Sequence, residues 1–284
     1  MSIIRRALNA LTASAFLLTL ICFLQGIAIG GENSGVVSAQ VDSVPIEYAK
    51  GCFADTGKII VSPVNWNSDD WLKAGLVVAA TTGIYFADTD LKKLAQKNQS
   101  SAGDSFATVG NNFGNPAYTL PSLGLFYLYG HFADDPKARR TSLLAVETLA
   151  ISGLFAESVK LATERPRPQT GESSGKWYGP RLKAGDMSFP SLHTATAFSL
   201  ASVVAEEYGA NPYVPPIAYG LASLTAFARV YDNKHWASDV FFGGVIGYFV
   251  GKAVVSYHTQ GNSAIMILPT VTWQGLGVSA QYRF

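Results

Sequence analysis

The sequence is poor in cysteine and in charge. Only two cysteines, Cys22 and Cys52, occur in 284 residues, which excludes a disulfide framework and a cysteine-rich metal site. Basic residues number 21 and acidic residues 20, giving a formal net charge of +1, so electrostatics offer no reason to expect nucleic acid or an acidic partner. Hydrophobic residues make up 48% and charged residues 14%, yet the mean hydropathy of +0.18 is modest for a chain that lies mostly in a membrane. A soluble bundle and a peripheral membrane protein are both compatible with these numbers.

The first 39 residues predict a secretory signal peptide or a membrane anchor. Arg5 and Arg6 precede a mainly apolar run from Leu11 to Ile29, which is the order of an export signal. Val37-Ser38-Ala39 offers a cleavage site of small residues, and Gly26-Ile27-Ala28 offers a second. A buried N-terminal helix is the alternative, but the basic flank fits export better. We therefore expect an exported, membrane-associated protein of the periplasm or cell envelope, in which Cys52 alone remains after cleavage.

The rest of the chain predicts an all-α domain. Residues 40–69 have no lasting periodicity and are interpreted as a linker, and residues 98–117 and 169–189 are interpreted as loops. Helical patterns cover residues 71–95, 120–132, 140–163, 193–208, 216–229 and 238–257. Charged residues, prolines and glycines interrupt these segments, so membrane-spanning helices are only weakly indicated. We expect residues 70–260 to form a bundle of about six helices.

The C-terminal tail, residues 261–284, changes to the alternating pattern of β-strands. Ile265 to Trp273 and Leu276 to Phe284 flank Gln274-Gly275, which is typical of a hairpin. A terminal phenylalanine after alternating apolar residues resembles the closing strand of an outer-membrane barrel, but two strands cannot close a barrel. A short β-hairpin lying on the bundle is the favoured interpretation.

Lys160, Arg167 and Pro168 form the first of three polar clusters. Seven residues are about two helical turns, so the lysine and the arginine can point the same way from the end of one helix. Arginine suits phosphate because its guanidinium donates two parallel hydrogen bonds. A solvated helix end, whose cations complement the helix dipole, is an equally good explanation of this cluster taken alone.

Pro190-Ser191-Leu192-His193 forms the second cluster and predicts the start of a helix. Ser191 is a natural N-cap residue, and the free amides that follow it make an anion site. In a phosphate site, Ser191 and these amides would hold oxygens while His193 donates a proton to the leaving group. An ordinary capped helix with an exposed histidine is the simpler alternative.

Arg229, His235 and Asp239 form the third cluster. In a helical segment, Asp239 at the i+4 position could meet the His235 imidazole and fix its tautomer, leaving the other nitrogen free to attack. Arg229 would supply a second guanidinium to the phosphate. A surface His/Asp pair is the alternative, but it does not explain the position of this cluster downstream of the other two.

In order and spacing the three clusters resemble the type 2 phosphatidic acid phosphatase superfamily, which includes bacterial acid phosphatases, lipid phosphatases and vanadium haloperoxidases. The family pattern is Lys-x6-Arg-Pro, then Pro-Ser-Gly-His, then Ser-Arg-x5-His-x3-Asp. The chain departs from this pattern at Leu192, where glycine is usual, and at Ala228, where serine is usual. Leucine can still present its backbone amide but changes the pocket shape. The resemblance covers roughly residues 70–258.

The resemblance implies an all-α fold with the site at the helix ends. It implies that His235 attacks phosphorus, that Asp239 orients it, and that a phosphohistidine intermediate forms. His193 would protonate the leaving oxygen. The charge on the phosphoryl oxygens would be stabilised by Lys160, Arg167, Ser191, the amide of Leu192, and Arg229. We expect no metal and no cofactor at this site, because the clusters lack a metal-ligand set and the cations do that work.

The expected partner is a phosphorylated small molecule or lipid, in contact with a membrane. A vanadate-dependent haloperoxidase would use the same residues to hold vanadate, and a non-catalytic envelope scaffold would use the tail hairpin instead. A scaffold has no physical need for both histidines and Asp239, so a phosphatase is favoured. The other two histidines, His131 and His258, are interpreted as surface or packing residues.

Overall fold

The computed structural model of the chain describes residues 45–180, 187–260, 266–272 and 275–281. The predicted signal or anchor segment, both cleavage sites and Cys22 lie outside these residues, as do residues 181–186 of the long loop. Export and cleavage therefore stay predictions.

The described part of the chain is a bundle of α-helices, which confirms the expected all-α class. Two short 3-10 helices, Ser62–Asn65 and Pro168–Thr170, lie between its longer elements. The α-helices are α1 Pro45–Val61, α2 Ser68–Lys97, α3 Ser101–Gly114, α4 Pro116–Phe132, α5 Pro136–Thr163, α6 Leu192–Glu207, α7 Val214–Tyr231 and α8 Ala237–Gln260.

Two segments expected to be irregular are helical, which corrects the sequence interpretation. Helix α1 lies within the expected linker, and α3 lies within the expected loop at residues 98–117. Ser100 caps α3 by accepting a hydrogen bond from the Gly103 amide. The glycines that suggested a loop instead allow contact with α7, since a Cβ on Gly110 would lie 2.3 Å from the Leu224 carbonyl oxygen. Tertiary packing thus outweighs the low helix propensity of glycine and asparagine.

Helix α6 is the centre of the bundle. It packs against α5, α7 and α8, and most of its residues are buried. Three glycines spaced four apart on α8 bring the two backbones together. A Cβ on Gly243 would lie 2.4 Å from the Ser191 carbonyl oxygen, and one on Gly247 would lie 2.2 Å from that of Ala195. A Cβ on Gly251 would meet the Ser202 side chain at 2.5 Å.

Helix α2 inverts the usual arrangement of a helix on a bundle. Among its 30 residues the buried one is the charged Asp88, while large apolar side chains such as Trp71, Leu72 and Phe86 are exposed, Phe86 by 79%. Helix α4 likewise exposes Phe132. Within the described residues, α5 and the Ala237–Thr259 part of α8 are long and apolar enough to cross a membrane. An exposed apolar surface of this extent is typical of proteins that contact a membrane or another protein.

Two strands, β1 Met266–Thr272 and β2 Gly275–Gln281, pair in antiparallel register near the C-terminus. Met266 lies opposite Gln281 and Thr272 opposite Gly275. The expectation that this hairpin lies on the helices stays a prediction.

Candidate active site

The end of α5 supplies the first cations of the site. Glu164 adopts a left-handed conformation with φ of 41°, which ends the helix, and Arg165-Pro166-Arg167 follow. The side chain of Lys160 is 8% exposed, and its Nζ donates to Glu157 Oε1 at 2.6 Å. Arg167 Nε donates to the Met187 carbonyl at 3.3 Å, which joins the two sides of the long loop. Both predicted cations therefore lie at one end of the bundle.

The start of α6 lies beside them. Ser191 is buried and caps the helix, since its Oγ accepts hydrogen bonds from the Thr194 amide at 3.4 Å and the Thr194 hydroxyl at 3.0 Å. The Ser191 amide donates to the Asp239 carbonyl at 2.9 Å, which ties α6 to α8. His193, the second residue of the helix after this cap, is partly buried. The first amides of α6 have no intrahelical acceptor and can bind an anion.

The two departures from the family pattern are both accommodated by packing. Leu192 lies over α5, where its Cδ1 is 3.8 Å from the position of a Cβ on Gly153, two turns before Lys160. Ala228 is fully buried in a cluster with Ala107 and Tyr231. Neither change removes a charged group from the site.

Arg229, in the last turn of α7, is held by a neighbour that the sequence interpretation missed. Asn111 of α3 accepts from Arg229 Nη1 at 2.7 Å through its Oδ1, and its Nδ2 donates to Asp232 at 2.6 Å. The Nε of Arg229 is buried without a hydrogen-bond partner among the described residues. Burial and the charge of Arg167 lower the pKa of Arg229 to about 10, still far above neutral pH. The guanidinium is thus fixed, charged and available to an anion.

His235 is oriented by a backbone carbonyl. Its Nδ1 lies 2.8 Å from the Ser188 carbonyl oxygen, which can only accept, so Nδ1 carries the proton. Nε2 is then left with a free electron pair. Asp239 Oδ2 lies 3.8 Å from Nδ1, beyond hydrogen-bond distance, because α8 begins only at Ala237 and the expected i+4 helical geometry does not form. The structure therefore gives the orienting hydrogen bond to Ser188 and leaves Asp239 as a nearby charge.

Asp239 is the centre of a buried polar network. Its Oδ1 accepts from Arg165 Nη1 at 2.6 Å. Its Oδ2 accepts from the Ser188 hydroxyl and from the Trp236 amide, the latter at 2.8 Å. The bonds to Ser188 and Trp236 hold in place the segment that carries His235 and the residue whose carbonyl binds its imidazole.

Arg165, which was not among the predicted site residues, connects this network to α2. It is fully buried, and its Nη2 donates to Asp88 Oδ2 at 2.6 Å. Its guanidinium lies about 5 Å from three aromatic rings, at 5.1 Å from Tyr85, 4.8 Å from Trp177 and 5.4 Å from Trp236. Arg165 therefore holds Asp88 and Asp239 in place, and its removal would leave two buried carboxylates with uncompensated charge.

The charges of the site act most strongly on its two histidines. Burial, followed by the electrostatic influence of Arg229, His235, Lys160 and Arg167, lowers the pKa of His193 to about 3. Burial lowers the pKa of His235 to about 4, although Asp239 opposes the shift. The arrangement is a cluster of cations around two neutral imidazoles, which favours an anion with several oxygens.

All predicted site residues thus lie at one end of the bundle, together with four that were missed: Asp88, Asn111, Arg165 and Ser188. Arg165 had a signal in the sequence, since it precedes Pro166 in the Arg-Pro-Arg-Pro run. Asp88 directly follows the apolar segment from Trp71 to Ala87, and a carboxylate at such a position is a candidate for a buried functional role. Asn111 was hidden because α3 was interpreted as a loop, and Ser188 acts partly through its backbone.

Comparison with known proteins finds a family similarity in the second half of the chain. The family model for the PAP2 superfamily matches residues 141–263, which include the three clusters but neither Asp88 nor Asn111. The lipid A 1-phosphatase of Porphyromonas gingivalis is 40% identical over 84 residues, which is 28% of this chain. The matched segment spans 19% of that relative's length.

Two solved structures match parts of the chain, and the first of them is similar in fold. One is a transmembrane PAP2 type phosphatidylglycerolphosphate phosphatase from Bacillus subtilis, with a TM-score of 0.50 and 19% identity, covering 67% of this chain and 94% of that one. The other is LpxE of Aquifex aeolicus, with a TM-score of 0.47 and 22% identity over 60% of this chain and 95% of that one.

Proposed function

We propose that this protein is a phosphatase of the PAP2 type, since residues 141–263 match the model of that superfamily. In this proposal it is metal-independent and hydrolyses a phosphomonoester or diphosphate through a phosphohistidine intermediate. The observation that carries the proposal is the grouping of Lys160, Arg167 and Arg229 with two buried histidines, whose pKa values are lowered by burial first and by neighbouring cations second. Phosphoryl transfer needs little covalent chemistry from a protein beyond positioning and charge stabilisation. This site has both.

In the first step, the free electron pair of His235 Nε2 attacks phosphorus. The N–P bond forms as the bond between phosphorus and the leaving oxygen breaks, and His193 gives a proton to that oxygen. The Ser188 carbonyl keeps the Nδ1 proton in place, and Asp239, 3.8 Å from Nδ1, stabilises the positive charge that develops on the ring. The three cations and the first amides of α6 hold the other phosphoryl oxygens.

In the second step, water attacks phosphorus and the N–P bond breaks. Neutral His193 takes a proton from the water, phosphate leaves, and His235 regains its electron pair. His193 thus serves first as an acid and then as a base.

The low pKa of His193, about 3 without substrate, is compatible with its role as an acid. Burial causes the largest part of the shift and positive neighbours add to it, and a bound phosphate brings negative charge that opposes those neighbours. A phosphomonoester loses its second proton near pH 6, so the monoanion can itself deliver the proton that His193 uses. Substrate binding and protonation of His193 are therefore coupled.

We propose a lipid phosphate as the substrate. Support comes from the relative named a lipid A 1-phosphatase and from the exposed apolar side chains of α2 and α4. An apolar groove of about 550 Å³ lies between α2, α7 and α8. Its lining includes Val230 and Val240, so the groove borders the end of α7 and the start of α8, which carry Arg229 and Asp239. We propose that an acyl chain of the substrate lies in this groove.

We propose that the protein is exported and works at the membrane of the cell envelope. The basic residues Arg5 and Arg6 would stay on the cytoplasmic side while the following chain crosses the inner membrane. Cell fractionation with N-terminal sequencing tests this. Cleavage after Ala39 gives a mature chain that begins at Gln40, no cleavage gives an anchored enzyme, and full-length protein in the soluble cytoplasm would contradict both.

The activity itself is tested with purified full-length protein in detergent. The substrates are p-nitrophenyl phosphate, phosphatidic acid, an isoprenyl diphosphate and lipid A that carries its 1-phosphate, each measured for phosphate release. We expect lipid substrates to be hydrolysed with higher kcat/KM than the nitrophenyl ester, because only lipids use the groove. Equal rates for all four would contradict the lipid assignment, and no phosphate release from any would contradict the phosphatase.

A further inference from the structure

A second polar cluster lies far from the active site. It consists of Asp55 on α1, Glu147 on α5 and His258 on α8. Glu147 and Lys160 lie on the same helix about 20 Å apart, so the cluster is near the opposite end of the bundle from the cations. The proposed phosphatase reaction uses none of these three residues.

The three side chains point their donor atoms at one place. His258 Nε2 lies 3.2 Å from Asp55 Oδ2 and 3.1 Å from Glu147 Oε2, and all three donor atoms lie within 4.8 Å of one another. Two ligands of a tetrahedral zinc ion are separated by about 3.3 Å, given zinc–ligand bonds of about 2.0–2.1 Å. The separations around His258 therefore suit a small divalent cation between the three groups.

The surroundings favour a metal site over a surface ion pair. Glu147 is fully buried and Asp55 nearly so, while His258 is partly exposed and offers a path for entry. Lys58 Nζ binds the other oxygen of Asp55 at 2.7 Å, and it lies over the Tyr257 ring at 5.0 Å. Asp55 is thus held by a second residue with its Oδ2 turned to the cluster, which is the outer support that metal-binding carboxylates usually have.

We propose that Asp55, Glu147 and His258 bind a divalent transition-metal ion, for which Zn²⁺ is the best-matched probe. Imidazole nitrogens and carboxylate oxygens are both zinc ligands, and three protein ligands leave a fourth position for water. Because the ligands come from three helices, the ion fastens α1 to α5 and α8. The site is structural and separate from the proposed phosphatase chemistry.

The test uses full-length protein in detergent, purified with a tag that contains no histidine and stripped with a chelator. ZnCl2 is then titrated by calorimetry, and thermal unfolding is followed with and without Zn²⁺. We expect one Zn²⁺ per chain and a rise in Tm of about 5 °C at a hundredfold excess over Kd. Glu147→Gln and His258→Gln should each weaken binding by about 100-fold or more and remove the rise, since loss of even an outer partner costs about 10–100-fold.

His131→Gln is the matched control, because His131 is an exposed histidine on α4, and it should bind Zn²⁺ like the wild type. Asp55→Asn provides a further ligand variant on a more exposed helix, and circular dichroism verifies that each variant is folded. Wild-type protein that binds no Zn²⁺ would overturn the proposal. So would stoichiometric binding that survives in the folded Glu147→Gln, His258→Gln and Asp55→Asn variants, or a Tm that responds to pH but not to Zn²⁺, as for an imidazolium shared by two carboxylates.

Discussion

The two ends of the α5–α8 helix pair surround their histidines with opposite charges. At one end, His193 and His235 lie among arginine and lysine side chains, and at the other, His258 faces Asp55 and Glu147. Burial, assisted by the cations, keeps the first two imidazoles neutral, as a nucleophile requires. Carboxylates beside the third make a site for a positive ion. The comparison teaches that the same side chain is assigned its chemistry by the sign of its neighbours, and a histidine cannot be classified from its position in the sequence alone.

The largest expected effect is at His235. His235→Ala should reduce turnover by about 10⁴-fold or more, because the nucleophile is lost, and should abolish the acid-labile phosphoenzyme. Phosphate release and trapping of labelled enzyme measure the two effects, with the exposed His131→Ala as control. Turnover near that of the control would contradict the assignment of His235 as the nucleophile, and with it the proposed difference between the histidines at the two ends of the bundle.

The next effect separates the two histidines of the active site. His193→Ala should lower kcat by about 10²–10⁴-fold on an alkyl phosphate, since the leaving oxygen needs a proton. The loss should be much smaller on p-nitrophenyl phosphate, whose leaving group departs without one. Measurement of kcat on both esters tests the assignment, and equal losses would contradict an acid role for His193.

Asn111→Ala sharpens the comparison by loosening one cation without removing it. We expect kcat/KM to fall about tenfold, because Arg229 loses the amide oxygen that holds its Nη1. Asn112→Ala, the neighbouring asparagine on α3, is the matched control and should change kcat/KM little. A wild-type kcat/KM in Asn111→Ala would show that Arg229 is positioned by other groups.

The pH dependence of kcat/KM should report the pKa of His235. Its pKa is lowered to about 4, so the imidazole is neutral and able to attack above pH 4 and becomes protonated as the pH falls below it. We expect kcat/KM to fall about tenfold per pH unit below 4, after correction for substrate ionisation. An acid limb near pH 6.5, the ordinary value for histidine, would contradict the lowering of the His235 pKa by burial and by the nearby arginines.

The smallest expected effect is that of a chelator on the reaction. EDTA should change the initial rate less than about twofold at ambient temperature, while vanadate inhibits as a mimic of the five-coordinate transition state. Rates are compared before and after chelation, at a temperature well below Tm. Activity lost with EDTA and restored by Mg²⁺ would contradict the metal-independent mechanism.

Much of the fold and site could be predicted because local patterns specify them. The helices that carry Lys160, His193 and Arg229 were predicted within a few residues of their ends, since proline and N-cap signals mark those ends. Helix α3 was missed because its glycines serve a close contact with α7 that only the folded chain reveals. The contact between Arg165 and Asp88 joins residues 77 positions apart, and no local pattern predicts such a pair.

The expected pairing of Asp239 with His235 illustrates the same limit at atomic scale. The i+4 spacing predicts a hydrogen bond only if the segment is helical, and the helix starts two residues after His235. The backbone carbonyl of Ser188 takes that role instead, and a carbonyl has no residue type to recognise.

The glycines of α8 determine how closely α8 approaches α6. Because Gly243 and Gly247 have no side chain, the backbones of α6 and α8 approach closely near Ser191 and Ala195, and this approach helps to set the distance between His193 and His235. Gly247 touches no reacting group in the proposed mechanism. A methyl group there would nevertheless clash with the Ala195 carbonyl and force α6 and α8, which position the two histidines, to shift. The activity of this protein is therefore expected to depend on the separation of α6 and α8, and Gly247, about three helical turns from His235, contributes to that separation.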